Sequence, residues 1–191
     1  MNKKARIAVL ASGSGTNAEV IFGYFRNHLV IDVVLLLCNN PEAPVLRRAE
    51  KFNIPVRVID RREFNDEIFM LDLLKSRQVT HLVLAGFLWL IPGYLVRAFP
   101  DRIVNIHPSL LPKHGGKGMY GMKVHEAVKQ AGDHETGITI HLVNEKYDEG
   151  RVLFQATCPV SDSDSPEQIA AKVHQLEHNS YAKIIETWIN N

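Results

Sequence analysis

Asn105 and His107 stand two residues apart at the end of an apolar, β-branched run. Side chains two apart on a strand point to the same face, so an amide and an imidazole are expected side by side. An amide can donate to a developing oxyanion while an imidazole moves protons near neutral pH, and this pair suits acyl transfer. The spacing leaves one alternative open, a polar strand end in which Asn105 caps the chain and His107 binds backbone.

Asp148 is the second candidate, in the turn-rich segment 144–150 that follows a later strand. From there it could return a carboxylate to the same place. A carboxylate near His107 is expected to raise the imidazole pKa and favour its charged form. The alternative is an ordinary turn acid ahead of Gly150, and spacing alone does not decide between the two.

A glycine loop, 11–17, lies between the first predicted strand and the first predicted helix. Glycines there let backbone N–H groups approach an anion, and the helix N-terminus behind them adds a favourable dipole. The loop has neither the Walker lysine pattern nor a third glycine, because position 18 is Ala. A phosphate site is the functional interpretation, and a tight turn with a Ser or Thr N-cap is the other.

The elements that must position these residues alternate between short apolar runs and segments of helical periodicity, which predicts parallel β-α-β units. The predicted strands of the first half are 6–11, 31–38, 56–59, 81–85 and 102–106, and the predicted helices are 16–27, 43–52 and 62–77. The last of these helices has Phe64, Ile68, Leu71 and Leu74 as its apolar stripe.

The second half predicts a helix over 120–131, two strands over 137–143 and 152–160 that pair antiparallel, and a final helix. Ser165 and Pro166 mark the start of that helix, which is expected to run to about Trp188. The expected fold class is therefore α/β, with a mostly parallel sheet, helices on both faces and an antiparallel strand in the C-terminal half. Residues 1–191 are expected to form a single domain.

Composition argues against three classes of protein, those that mainly bind nucleic acid, secreted proteins and membrane proteins. The chain has 191 residues, with 22 Lys and Arg against 21 Asp and Glu, a formal net charge of +1. That balance argues against a main role in binding nucleic acid. The start has no signal peptide, no apolar run approaches the ~20 residues that span a bilayer, and the two cysteines suit a reducing compartment. We therefore expect a soluble cytoplasmic protein without a membrane partner.

Two further groups of residues are given structural interpretations. Cys38 is expected to be a small core residue rather than a nucleophile. His114, His125, His134 and His141 show no pair with i,i+4 spacing and no accompanying cysteine, so no metal site is expected.

The segment Asn105-Ile-His-Pro-Ser-Leu-Leu-Pro112, together with Tyr147-Asp-Glu-Gly150 and Ala85-Gly-Phe87, resembles the folate-dependent formyltransferases. The resemblance runs in order from Ser12 to His178. It implies a Rossmann-like formyltransferase fold. The short glycine loop and the compact length resemble the branch of the family that acts in purine synthesis.

The resemblance implies that the amine of 5-phosphoribosylglycinamide attacks the formyl carbon of 10-formyltetrahydrofolate, the co-substrate. Asn105 would hold the formyl oxygen and so also contact the folate. His107 would donate or shuttle a proton, and Asp148 would support His107 and organise a water. Neither a metal nor a covalent intermediate is implied.

The resemblance also implies binding residues. Gly15, Thr16 and Asn17 would bind the substrate phosphate, and Glu177 would bind the ribose. The pterin would be bound by Leu88, Trp89, Leu90 and Ile91. Arg62 would bind the folate tail. The family often has Arg where this chain has Trp89, and Pro where it has Arg151. The loop 114–121 also departs from a common form, and we expect it to be mobile.

Other function classes stay in view. Methionyl-tRNA formyltransferase, formyltetrahydrofolate hydrolase and amino-sugar-nucleotide formyltransferases usually have longer chains, so the length of 191 residues disfavours them. A non-catalytic nucleotide-binding module would not need Asn105, His107 and Asp148. The expected partners are small molecules, and the expected assembly is a monomer or a weak homodimer.

Overall fold

A computed structural model describes residues 4–191. Residues 1–3 lie outside the described part, and the prediction about a signal peptide begins on these residues. The chain divides into two compact units, unit 1 ending at Val104 and unit 2 running from Asn105 to Ile189. The division falls inside one strand, directly before Asn105.

The elements follow the predicted alternation of strands and helices. The strands are β1 (Ala5–Ala11), β2 (Ile31–Cys38), β3 (Val56–Val58), β4 (His81–Leu84), β5 (Ile103–His107), β6 (Glu135–Leu142) and β7 (Val152–Pro159). The helices are α1 (Thr16–Phe25), α2 (Val45–Lys51), α3 (Arg61–Asn65), α4 (Glu67–Ser76), α5 (Gly93–Ala98), α6 (Met122–Ala131) and α7 (Pro166–Asn190).

The strands form a seven-stranded sheet in the order β3-β2-β1-β4-β5-β6-β7. β1 pairs in parallel with β2 and β4, and β2 pairs in parallel with β3. β6 and β7 pair antiparallel, from Glu135 opposite Pro159 to His141 opposite Val152. The predicted fold class, a mostly parallel α/β sheet with an antiparallel strand in the C-terminal half, is confirmed.

The core of unit 1 explains its apolar runs. Ile7 to Ala11 of β1 have no exposed surface, and Leu35 to Cys38 of β2 are buried beside them. Such central parallel strands need apolar side chains on both faces, which is why they read as continuous rather than alternating runs. Cys38 is a free, buried thiol, as predicted for a core residue.

The single helix predicted over 62–77 is wrong, because Asp66 breaks it into α3 and α4. The side chain of Asp60 accepts from the N–H of Glu63 at 2.7 Å, and that of Asp66 accepts from Phe69 at 3.0 Å, so each acid caps a separate helix. The break shifts the apolar stripe to Met70 and Leu74 and leaves Ile68 exposed.

α5 was missing from the predicted elements. It is six residues long, too short to show helical periodicity, and it begins after Pro92. Tyr94 is buried, and its hydroxyl donates to the carbonyl of Phe64 at 2.7 Å, which ties α5 to α3 within unit 1.

Unit 2 contains the antiparallel pair and the longest helix. A side chain at Gly137 would collide with the carbonyl of Ala156 on β7, so glycine lets the two strands approach there. α7 begins with the predicted Ser165 cap and Pro166. Gln168 completes a reciprocal capping box with Ser165. In the described part of the chain, no helix combines the length and the apolar composition needed to cross a membrane.

Candidate functional site

In unit 2, Asn105 and His107 converge on Asp148 and His141. β5 ends with Asn105 and His107, β6 carries His141, and the β6–β7 connection carries Asp148. Nδ1 of His107 lies 3.5 Å from one carboxylate oxygen of Asp148, and Nε2 of His141 lies 3.6 Å from the other. Nδ2 of Asn105 lies 3.1 Å from Nε2 of His141. The three sequence-predicted residues thus share one cluster.

Local hydrogen bonds hold the chain beyond His107 in place. The hydroxyl of Thr139 on β6 donates to the carbonyl of Ser109 at 2.7 Å and accepts from the N–H of Leu111 at 2.9 Å. The hydroxyl of Ser109 donates to the carbonyl of Lys113 at 2.6 Å. The chain that follows β5 is therefore fixed to β6.

His141 is the residue that sequence reasoning missed. Its ring is buried, and Nδ1 lies 2.8 Å from the carbonyl oxygen of Leu142. Because a carbonyl oxygen can only accept, Nδ1 carries a hydrogen and donates it. Nε2 lies within reach of both Asn105 and Asp148: as an acceptor it takes a hydrogen bond from the Asn105 amide nitrogen, and as a donor it faces the Asp148 carboxylate. The only signal in the sequence is a histidine inside the apolar strand predicted over 137–143, where it was expected neither to bind a metal nor to contact Asn105.

The proton of a neutral His107 resides on Nε2. That nitrogen lies 2.8 Å from the carbonyl of His114, a contact that requires a donor. Burial lowers the pKa of His107 below its ordinary value, and this outweighs the opposing effect of the Asp148 carboxylate. Asp148 therefore raises the pKa of His107 as expected, but the net pKa is lowered because the ring is buried, which the sequence did not reveal.

Asp148 is a carboxylate at neutral pH. Burial alone would raise its pKa, but contacts with His141 and His107 and a hydrogen bond from Gly116 hold the pKa below its ordinary value. The N–H of Gly116 donates to Asp148 at 2.9 Å. Asp148 itself has φ of 55°, in the left-handed region where Asp is among the better tolerated residues.

Segment 113–116 covers both His107 and Asp148 with its backbone. It is anchored through Asp133, whose carboxylate lies 2.7 Å from Nε2 of His114 and 2.9 Å from Nζ of Lys113. A side chain at Gly115 would collide with Leu111, so glycine permits this close cover. The predicted mobility of the loop 114–121 stays a prediction.

In unit 1, the glycine loop is held at the carboxyl end of β1. Gly15 has φ of 74°, and a Cβ there would overlap the Val45 side chain. Nε of Arg48 donates to the carbonyl of Ser14 at 2.8 Å. No side chain in the described residues caps α1 at Gly15, so the Ser or Thr cap of the alternative interpretation is wrong. Thr16 and Asn17 form the first turn of this uncapped helix, which suits an anion.

The loop 86–91 is tied to the glycine loop within unit 1. The N–H of Leu88 donates to the hydroxyl of Ser12 at 3.0 Å, and the N–H of Ser12 donates to the carbonyl of Gly86 at 3.0 Å. Leu88 and Leu90 are exposed, whereas Ile91 is buried. Two of the predicted binding segments are therefore neighbours.

The remaining predicted residues are placed as follows. Arg62 lies exposed on α3. Phe64, two positions later on the same helix, has its ring centroid 5.4 Å from that of Trp89. Glu177 lies buried on α7 in unit 2, 4.0 Å from His174. Among the described residues, no group of three or more His, Cys, Asp or Glu side chains could hold a metal ion.

A family model and individual known proteins both place this chain in the same family. The model of the family described as formyl transferase matches residues 5–185. Phosphoribosylglycinamide formyltransferase, chloroplastic, from Arabidopsis thaliana is 42% identical over 189 residues, which cover 96% of this chain and 65% of that protein. The Vigna unguiculata protein of the same name is matched over 61% of its length, so the chain spans less than two thirds of these plant relatives.

Bacterial proteins match over most of both chains. Phosphoribosylglycinamide formyltransferase from Bacillus subtilis is 34% identical over 186 residues, 95% of this chain and 93% of that protein. The crystal structure of glycinamide ribonucleotide transformylase 1 from Geobacillus kaustophilus has a TM-score of 0.85 at 37% identity, covering 95% of this chain and 97% of that one. This chain belongs to the formyl transferase family.

Proposed function

We propose that this protein transfers the formyl group of 10-formyltetrahydrofolate to the amine of 5-phosphoribosylglycinamide. The products are formylglycinamide ribonucleotide and tetrahydrofolate, in de novo purine biosynthesis. The observation that carries the proposal is the cluster of Asn105, His107, His141 and Asp148 in unit 2. The names of the Arabidopsis and Bacillus relatives support the choice of substrates.

Asn105 supplies the donor for the oxyanion. Its amide nitrogen carries two hydrogens, and the contact with His141 uses one of them. The second hydrogen is free to bind the formyl oxygen as it gains negative charge during attack by the amine. With its proton on Nδ1, His141 accepts from the amide nitrogen and so fixes which end of the amide faces the reaction. Such preorganised donors are worth on the order of 10²–10³ in rate.

His107 moves the proton. Attack makes the amine nitrogen cationic, and that nitrogen must lose a proton while N10 of the folate must gain one as the C–N bond breaks. With the carbonyl of His114 displaced, neutral His107 can carry its own proton on Nδ1, towards Asp148, and take the proton of the amine on Nε2; the imidazolium then gives that proton to N10. The carboxylate of Asp148, 3.5 Å from Nδ1, stabilises the imidazolium that forms between these two events.

Segment 113–116 must release His107 before proton transfer. In the structure, Nε2 of His107 donates to the carbonyl of His114. A donor occupied in this way cannot also reach a substrate nitrogen. We infer that the substrates displace the carbonyl of His114 and that the bond of Gly116 to Asp148 is the second contact to change.

Binding residues are proposed in each unit separately. In unit 1, Gly15, Thr16 and Asn17 bind the phosphate through the backbone N–H groups at the start of α1 and through the side chains of Thr16 and Asn17. The segment Leu88–Ile91, including Trp89 and Leu90, binds the pterin, and Arg62 binds the folate tail. In unit 2, Asn105 also contacts the folate, and Glu177 binds the ribose hydroxyls. The uncapped start of α1 and the bond between Ser12 and Leu88 support the assignments in unit 1.

We also propose that residues 1–191 act as one formyltransferase domain, working in the cytoplasm as a monomer or weak homodimer, on small molecules rather than nucleic acid or membranes. The family model spans 5–185 and so includes parts of both units. The net charge of +1 supports small-molecule partners over nucleic acid.

The test is an assay of tetrahydrofolate formation with purified protein and 10-formyltetrahydrofolate, with and without 5-phosphoribosylglycinamide. We expect turnover that depends on the ribonucleotide, with the formyl group recovered on its amine. Tetrahydrofolate and formate released at the same rate without the ribonucleotide would instead show a hydrolase. Binding without either reaction would show a non-catalytic module. Either result would overturn the proposal.

A further inference from the structure

Helix α2 contacts the glycine loop of unit 1 at three points. The N–H of Val45 donates to the carbonyl of Gly13 at 3.2 Å. The Val45 side chain fills the space that a Cβ at Gly15 would need. Nε of Arg48 donates to the carbonyl of Ser14 at 2.8 Å. The two carbonyl groups that precede Gly15 are therefore both bound by α2.

These hydrogen bonds decide where the backbone N–H groups of the loop point. In a planar trans peptide, the C=O and the N–H that follows it point in opposite directions. Because the carbonyls of Gly13 and Ser14 point towards α2, the N–H groups of Ser14 and Gly15 point away from it. Neither N–H has an acceptor among the described residues. Successive N–H groups in a turn of this kind form a concave site for an anion.

The guanidinium of Arg48 is itself fixed by Glu19 on α1. Nη1 of Arg48 contacts one carboxylate oxygen of Glu19, and Nζ of Lys51 lies 3.8 Å from the other. Arg48 is partly buried there. Arginine presents a planar fork of donors, so one side chain can bind the Ser14 carbonyl and the Glu19 carboxylate at the same time. Arg48 thus ties the glycine loop to the helix that follows it.

We propose that Arg48 is a positioning residue for binding of the ribonucleotide phosphate. Arg48 keeps the Ser14 carbonyl turned towards α2, so the N–H groups of Ser14 and Gly15 stay turned towards the phosphate, which Arg48 itself does not touch. The proposal rests on the proposed function and adds the N–H of Ser14 to the groups that bind the phosphate. Because these donors are oriented before the ligand arrives, binding requires less ordering of the loop.

The experiment compares Arg48→Ala with Arg47→Ala, which removes the same charge from an exposed neighbouring position of α2. The acceptor substrates are 5-phosphoribosylglycinamide and the corresponding ribonucleoside, which lacks the phosphate. We expect Arg48→Ala to raise the KM for the ribonucleotide on the order of 10-fold, the size of one hydrogen bond to a charged group. Its kcat, its KM for 10-formyltetrahydrofolate and its kcat/KM with the ribonucleoside should stay at the wild-type values. Arg47→Ala should change none of these constants.

Three further variants separate the bond to Ser14 from the ion pair and from the fold. Glu19→Gln removes the ion pair but leaves the Nε bond to Ser14, so the KM for the ribonucleotide should change little. Arg48→Met keeps the aliphatic stem and its packing but has no donor, so it should raise this KM as Arg48→Ala does. Arg48→Lys keeps a charged donor without the planar fork and should recover part of the loss.

An unchanged KM for the ribonucleotide in both Arg48→Ala and Arg48→Met would overturn the proposal. Equal losses of kcat/KM with the ribonucleotide and the ribonucleoside would also overturn it, since Arg48 would then act on the fold and not on the phosphate. A loss in Glu19→Gln as large as that in Arg48→Ala would contradict it as well, because the effect would then come from the ion pair.

Calorimetric binding of ribose 5-phosphate gives the same comparison of variants without turnover. If the wild-type protein transfers no formyl group, the proposed function fails. Weaker binding of ribose 5-phosphate to Arg48→Ala, but not to Arg47→Ala, would still support the positioning role of Arg48. Equal binding of ribose 5-phosphate to the wild-type protein and to Arg48→Ala would overturn that role.

Discussion

The candidate residues of unit 2 and those of unit 1 differ in how their functional groups are occupied. In unit 2, His107, His141 and Asp148 are buried or nearly so, and each polar atom faces a partner. In unit 1, the candidates are an uncapped helix start, the loop 86–91 with the exposed Leu88 and Leu90, and the exposed Arg62. Buried, mutually fixed groups suit proton movement, whereas open groups suit recognition of a ligand's charge.

Mutations in the buried cluster and mutations in the open groups should therefore affect different kinetic constants. A change in the buried cluster removes a group whose neighbours were arranged around it, so turnover should fall steeply. A change in the open groups removes one contact among several, so the affinity for one substrate should fall modestly.

His107→Ala should lower kcat by roughly 10²–10⁴-fold, because it removes the group that moves the proton. Calorimetric binding of the ribonucleotide should be largely intact. His134→Ala, an exposed histidine of the same unit, is the control and should keep the wild-type kcat. Unchanged turnover in His107→Ala would remove this residue from the mechanism.

Asp148→Asn should lower kcat less than His107→Ala does, because the imidazole remains. It should also move the pH profile. Asp148 raises the pKa of His107 against the lowering effect of burial, so its neutral replacement should lower that pKa further. Because the neutral imidazole is the active form, the acid limb of the kcat–pH profile should shift to lower pH. Identical profiles for the two proteins would show that the residues do not interact.

Replacing Thr16 and Asn17 together with alanine should raise the KM for the ribonucleotide about 10-fold, the loss of roughly one hydrogen bond to a charged group. The KM for the formyl donor should change little. Steady-state kinetics with each substrate varied in turn makes the measurement. Equal effects on the two substrates would count against a phosphate site at α1.

Asp66→Ala should lower the free energy of unfolding by about 1 kcal/mol, because it removes the cap of α4. Urea denaturation measures this loss, and kcat should stay at the wild-type value. A large drop in kcat would mean that the break between α3 and α4 contributes to turnover as well as to stability.

The sequence predicted the parallel strands well because central strands need continuous apolar runs, as in Ile7 to Ala11. The sequence did not predict the break between α3 and α4, because Asp66 can either lie inside a helix or cap one. Only the folded structure, in which Met70 is buried and Ile68 is exposed, distinguishes these two roles of Asp66. α5 was missed because six residues cannot show a helical period.

Within the candidate site, the spacing of Asn105 and His107 predicted that they converge, and the structure brings them to the same pair of side chains. The approach of Asp148 depends on the path of a connection, which spacing does not encode. His141 was missed for the same reason, since its partner Asn105 is 36 positions away. The raising effect of Asp148 on the pKa of His107 was predicted, but the larger lowering effect of burial was not, because burial is a property of the folded chain. The catalytic roles themselves stay predictions.

The central claim is that His107 and Asp148 act as one unit in formyl transfer. A double-mutant cycle of His107→Ala and Asp148→Asn on the single-turnover rate tests it most directly. We predict that the double variant is about as slow as His107→Ala alone, because Asp148 acts through the imidazole. Losses that multiply independently would contradict the claim.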